Sequence, residues 1–174
     1  MKKALIIVDI QNDFLPGGAL AVKDSDAIIP LVNEIQKDFE IIIATQDYHP
    51  PNHASFAENH SGKNPGDVID LHGIDQVLWP VHCVQGSHGA EFSPELITTN
   101  ITRVFRKGTD PNLDSYSGFF DNGHRKDTGL DRFLKELEVT DVYICGLAAD
   151  YCVKFTALDA VKCGFNTWLY RGAT

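Results

Sequence analysis

Ala4-Leu5-Ile6-Ile7-Val8-Asp9 is an unbroken apolar run, rich in β-branched residues, that stops at a carboxylate. Short runs of this kind, bounded by polar residues, read as strands buried on both faces, as in a parallel sheet. The pattern recurs along the chain. Ile41-Ile42-Ile43-Ala44-Thr45 leads to Asp47-Tyr48-His49, a run at about 101–106 leads to Lys107, and Val142-Tyr143-Ile144-Cys145-Gly146 is followed a few residues later by Cys152. A fifth run covers 167–170. Between the runs lie stretches with helical spacing. Ile28, Ile29, Leu31, Val32 and Ile35 share one side of a helix expected from about Asp26 to Lys37, capped by Ser25 or Asp26. Thr128 with Asp131 marks the start of a second helix carrying Leu130, Phe133, Leu134 and Leu137, and a third is expected from about Cys152 to Lys162, ended by Gly164. Strands alternating with helices predict an α/β fold, a mostly parallel sheet with helices on both faces.

The 174 residues fit one domain spanning 1–174, and a net charge of -9 argues against generic affinity for nucleic acid phosphates. A small-molecule partner is expected instead. No run of about 18 apolar residues is present, so no membrane span is expected. The amino-terminal apolar stretch is broken by Asp9 and has no small-residue cleavage site, which points to the cytoplasm. Cys83, Cys145, Cys152 and Cys163 show no CxxC spacing and are read as reduced thiols. The connection from Gln46 to Gly89 is long, rich in His, Pro, Asn and Gly, and expected to carry function.

Ligands of open parallel sheets bind beyond the carboxyl ends of the strands, so Asp9, Lys107 and Cys152 are placed to converge there. Singly, each has a plainer role: a turn-forming carboxylate, a solvated lysine, a small buried hydrophobe. Together they supply a base, a cation to hold it and a nucleophile. Cys152 at the first turn of a helix is expected to have a lowered pKa, with the N–H groups of Ala149 and Cys152 forming an oxyanion hole and Ala148 among the small residues that let substrate approach. Asp47 and His49 share a face of extended chain and, with His82, offer ligands for zinc, iron or manganese. His53, His60, His72 and His88 are read as unliganded loop histidines. Phe14, Trp79 and Tyr116 are candidates for an aromatic box around a flat ring.

Asp9-Ile10-Gln11-Asn12-Asp13-Phe14, Thr45-Gln46-Asp47-Tyr48-His49-Pro50, Trp79-Pro80-Val81-His82-Cys83, Lys107-Gly108 and Gly146-Leu147-Ala148-Ala149-Asp150-Tyr151-Cys152-Val153 together resemble the nicotinamidases of the isochorismatase-like cysteine hydrolase superfamily, in order and over nearly the whole chain. The resemblance implies a three-layer α/β/α fold with a six-stranded sheet. It implies hydrolysis of nicotinamide, and of pyrazinamide, through a thioester on Cys152, in NAD salvage. The triad then falls on Asp9, Lys107 and Cys152, and a divalent metal, zinc before iron or manganese, on Asp47, His49 and His82, with His53 outside the ligand set. A cis peptide is implied before Ala149. A final helix covering the sheet is implied beyond the last strand, and its lack here would leave an apolar face exposed. Oligomeric state is left open between monomer and homo-oligomer. Competing readings are a metal-free isochorismatase or carbamoyl-amine hydrolase, which has no need of three ligands, and a non-catalytic ligand-binding relative. A dinucleotide-dependent oxidoreductase is disfavoured, because Asp9-Ile10-Gln11 stands where a GxGxxG turn belongs.

Overall fold

The computed structural model describes residues 1–174, built around β1, Lys3–Val8, in which Ala4 to Val8 are fully buried. Successive residues of β1 face opposite layers. Leu5 and Ile7 pack with Ile28, Ile29, Val32 and Ile35, while Ala4, Ile6 and Val8 pack with Leu130, Leu134, Val153 and Ala160. A strand with apolar layers on both sides needs apolar residues at every position, so the run shows no alternation. Each such burial contributes roughly 1.5–3 kcal/mol.

Strands β2, Ile41–Asp47, and β6, Asp141–Gly146, pair in parallel on either side of β1. Outside them lie β5, Arg103–Lys107, and β7, Asn166–Leu169, giving the order β5-β2-β1-β6-β7. Helix α1, Ile29–Ile35, covers one face; α2, Leu130–Glu136, and α3, Lys154–Lys162, cover the other. The main sheet therefore has five strands, one for each apolar run, and not the six implied by resemblance. The remaining pair, β3 at Val68–Leu71 and β4 at Ile74–Val77, forms a separate antiparallel hairpin within the long connection. Only Leu71 and Gln76 are buried in it, too little apolar surface to enter the central sheet. Its two turn residues, His72 and Gly73, both have positive φ, which matches the twist of a two-residue hairpin.

The helices are shorter than their periodicity suggests. The stretch expected as one helix divides into a tight turn at Ser25–Ile28, α1, and a second tight turn at Gln36–Asp38. Pro30 in the first turn of α1 fixes where regular helix begins. Ser25 is not a cap: its hydroxyl donates to the Phe14 carbonyl at 2.9 Å, and Asp24, in the left-handed region, takes the cap position without a side-chain bond. Leu158 and Val161 on α3, and Trp168 and Leu169 on β7, are about half exposed. No helix is long and apolar enough to cross a membrane.

From β1 the chain moves outward through β2 to β5, then returns to β6 and β7 on the opposite side. Connections leaving the ends of β1 and β6 diverge and open a crevice at the carboxyl edge. Register brings the ends together there: Val8 lies beside both Thr45 and Gly146, and Asp47 beside Lys107. At Gly146, φ is +114° and a Cβ would stand 2.1 Å from the Val8 carbonyl oxygen, so only glycine lets this turn lie against β1.

Candidate active site

One ammonium group organises the edge of the sheet. Lys107, at the end of β5 and 2% exposed, places Nζ 2.9 Å from Asp9 Oδ2, 2.5 Å from Asp47 Oδ1 and 3.4 Å from Cys152 Sγ, and donates to the Ser115 carbonyl at 3.1 Å. Burial alone would discharge it, but Asp47 and Asp9 outweigh that and push its pKa well above the ordinary lysine value. Asp9 follows β1 in the left-handed region and accepts from the Thr45 hydroxyl at 2.7 Å through Oδ1. Its Oδ2 stands 2.9 Å from the Lys107 ammonium. Burial raises the Asp9 pKa, Lys107 opposes the rise, and Asp47 adds to it.

Cys152 lies in a wide π turn, Ala149–Val153, that precedes α3, rather than in the first turn of a regular helix. Burial pushes its thiol pKa well above the usual value; Lys107 pulls it down, while Asp9 and Asp47 push it further up. The lowered pKa expected from a helix start is therefore not found, because desolvation and two carboxylates outweigh one ammonium. A protonated thiol needs a base, and ligating atoms of Asp9, Asp47 and Cys152 all lie within 4.8 Å of one another.

Beside this group stand Asp47, His49 and His82, whose ligating atoms also fall within 4.8 Å of one another. Asp47 Oδ2 is 3.6 Å from His49 Nε2 and 3.8 Å from His82 Nε2. His49 Nδ1 is tied to the Gly108 carbonyl at 2.8 Å and His82 Nδ1 to the Pro80 carbonyl at 2.7 Å. Those bonds fix the tautomers and leave both Nε2 lone pairs facing the Asp47 carboxylate, the arrangement of a divalent metal site. Burial works against charge on Asp47, yet Lys107 and the histidines hold its pKa well below the carboxylate range. His53 is buried among these groups, within 4.8 Å of His49 and Asp114. Its Nδ1 lies 2.7 Å from the Ser55 hydroxyl and accepts from the Ser55 backbone N–H at 3.2 Å, while its Nε2 is buried without a hydrogen-bond partner. Burial lowers the His53 pKa to about 4, so the ring is neutral.

A cavity of about 280 Å³ opens onto Cys152, Asp47, His49 and His82. Phe14, Trp79, Tyr116 and Ala148 line it, as do Asp150 and Tyr151 from the segment before Cys152, and Leu20, Ala21, Val22 and Asp114, for which the sequence carries no signal. Asp9 and Lys107 lie behind the wall. Trp79 and Tyr151 meet edge to face at 4.9 Å, and Tyr116 meets Tyr151 at 5.3 Å. The Tyr116 hydroxyl accepts from Trp79 Nε1 at 3.3 Å and from Gln76 Nε2 at 3.2 Å, so β4 reaches into the aromatic wall. The cis peptide joins Leu147 to Ala148, one bond before the expected position. Ala149 is exposed and outside the cavity wall, whereas Ala148 and Cys152 face it.

Residues 3–174 match the family described as Isochorismatase domain. A nicotinamidase of Acinetobacter baylyi is 50% identical over 166 residues, covering 95% of this chain and 78% of that protein. Among solved structures, an Acinetobacter baumanii nicotinamidase/pyrazinamidase superposes with a TM-score of 0.97 at 50% identity, over 99% of this chain and 83% of that one. A pyrazinamidase of Pyrococcus horikoshii, solved in complex with zinc, gives 0.80 at 42% identity, over 100% of this chain and 86% of that one.

Proposed function

Since the chain belongs to the isochorismatase family, we propose that it is an amidase that hydrolyses nicotinamide to nicotinate and ammonia, and pyrazinamide in the same way, in the salvage of pyridine nucleotides. The observation that carries this reading is the Lys107 ammonium in contact with Asp9, Asp47 and Cys152 at one end of an aromatic slot. The slot suits a flat ring, and a carboxamide on that ring meets the thiol.

In this mechanism Asp9, with a carboxylate oxygen within 4.8 Å of the Cys152 sulfur, accepts the Cys152 proton. The raised pKa that burial gives Asp9 makes it a stronger base than an exposed carboxylate and, once protonated, an acid able to serve an amine leaving group. The thiolate attacks the amide carbonyl carbon, and the oxyanion is received by the N–H groups of Ala148 and Cys152. Collapse of the tetrahedral intermediate breaks the C–N bond, with Asp9 giving its proton to the departing ammonia. Water, activated by Asp9, then hydrolyses the thioester, releases nicotinate and restores the thiol. Lys107 stays charged throughout and offsets the repulsion between Asp9 and Asp47, which it contacts at 2.9 and 2.5 Å. Asp47, His49 and His82 would hold a divalent ion, zinc by our reading, which would orient the ring through its nitrogen. Such a donor set has no purpose in a metal-free hydrolase of the same family. We place the reaction in the cytoplasm, where the four free cysteines stay reduced.

Ammonia release from nicotinamide tests the proposal. Release should be lost in Cys152→Ala and should fall on chelation. Turnover of a carbamoylated amine in place of nicotinamide, unaffected by chelator, would overturn it.

A further inference from the structure

We infer that Asp13, which touches neither the metal donors nor the reacting thiol, is a positioning residue that locks the ring-binding wall to both metal-binding histidines. The inference rests on the metal-assisted amidase reading above. Asp13 sits in a tight turn, Asn12–Phe14, after β1, and its carboxylate accepts from two backbone segments far apart in sequence. Oδ1 accepts the Ala19 N–H at 3.2 Å, and the Asp13 carbonyl accepts the Leu20 N–H at 2.9 Å. The Phe14 carbonyl accepts the Val22 N–H at 3.0 Å. These bonds fold residues 15–22 back over the crevice, so that Leu20, Ala21 and Val22 form one wall of the cavity.

The other oxygen holds the metal side. Asp13 Oδ2 accepts the Cys83 N–H at 2.6 Å, a short bond to an acidic side chain. Cys83 is buried in the left-handed region, at φ +46°, a conformation that a residue with a Cβ adopts only under restraint. Its N–H belongs to the peptide that follows His82, and its carbonyl accepts the His49 backbone N–H at 3.0 Å. One carboxylate thus anchors a peptide that continues directly into one imidazole donor and hydrogen-bonds the backbone of the other. Gly89 closes the arrangement from outside: a Cβ there would stand 2.1 Å from Asp13 Oδ2. The glycine is required by contact alone, since its φ is not among the positive ones. Movement of the wall and movement of the metal donors are coupled through Asp13, so that the ring slot takes its shape only when both histidines are in place.

Two substitutions perturb this contact from opposite sides. Asp13→Asn keeps one acceptor and turns an NH2 group toward the other N–H; Gly89→Ala drives a methyl group into an intact carboxylate. Metal affinity is measured by chelator competition on the folded protein without substrate, KM and kcat at saturating metal, and Cys152 reactivity by iodoacetamide. We expect both variants to bind zinc about tenfold more weakly, the low end for residues that support a ligand. Both should raise KM several-fold, with kcat and the alkylation rate of Cys152 within about twofold of wild type, because Asp9, Lys107 and Cys152 are not in this linkage. Folded variants with lower thermal stability but unchanged zinc affinity and KM would overturn the inference and leave Asp13 a structural residue only. A wild-type protein that holds no zinc would instead overturn the metal reading on which it rests.

Discussion

Replacing Lys107 by methionine removes the charged terminal atom and leaves an unbranched apolar side chain one heavy atom shorter. In the wild-type protein the ammonium stands 2.9 Å from Asp9 and 2.5 Å from Asp47, and all three residues are buried. Removing one partner of a buried ion pair costs about 3–5 kcal/mol, because the charge left behind is neither solvated nor paired. Here two carboxylates are left behind, with oxygens no more than 4.8 Å apart. They cannot both remain ionised, so the site takes up a proton, and Asp9, whose pKa burial already raises, is the group that takes it. A protonated Asp9 cannot accept the Cys152 proton. Lys107→Met should therefore lose about 3 kcal/mol or more of unfolding free energy at neutral pH in urea titration, and ammonia release should be lost with it. The pH dependence has a definite sign. Asp47 is held below its ordinary pKa in the wild type, so its stabilisation is present above the unfolded carboxylate pKa of roughly 4 and is lost as pH falls through the folded value. In the variant that advantage disappears, and stability should instead decline as pH rises and the paired carboxylates are forced to ionise. A Lys107→Met protein within about 1 kcal/mol of wild type, with measurable turnover at neutral pH, would refute this reasoning.

Three further outcomes follow from other contacts. Gln76→Leu removes donors to the Val77 carbonyl, Asp114 and the Tyr116 hydroxyl; it should cost about 1–3 kcal/mol in unfolding and raise KM for nicotinamide more than it lowers kcat. Gly146→Ala, at φ +114° and with no room beside the Val8 carbonyl, should lower the melting temperature by many degrees or prevent folding, as calorimetry or expression of soluble protein would show. Alkylation of Cys152 by iodoacetamide should be slow at neutral pH and accelerate only in the alkaline range, since its pKa lies well above the ordinary thiol value, and a fast rate below neutrality would contradict the burial argument.

The sheet was legible because every buried strand must be apolar at each position, and runs such as Ile41-Ile42-Ile43-Ala44-Thr45 have few other readings. The positions of Asp9, Asp47 and Lys107 were legible for the same reason, as polar residues that end such runs at one edge of the sheet. The β3/β4 hairpin was not, since its turn is His72-Gly73 rather than Asn-Gly and only Leu71 and Gln76 are buried in it. The wall at Leu20, Ala21 and Val22 has no periodicity to reveal it: it is held by backbone bonds to Asp13 and Phe14, and a sequence does not display those. Asp114 reaches the cavity through contacts with Gln76, thirty-eight positions away. The direction of the Cys152 pKa shift is hidden in the sequence because a helix start is visible there while burial beside two carboxylates is not. Ala149 and Ala148 differ by one residue in a wide turn, and which of them faces the cavity depends on a backbone path that identical side chains cannot signal.

The central claim is that Cys152 forms a thioester with the acyl group of nicotinamide. Acid-quenched enzyme taken during turnover and analysed as peptides by mass spectrometry tests it directly. The account predicts a nicotinoyl group on the peptide carrying Cys152, absent in Cys152→Ala and absent after turnover is complete. Steady ammonia release with no acyl group on that peptide in rapidly quenched samples, or with activity retained in Cys152→Ala, would contradict it.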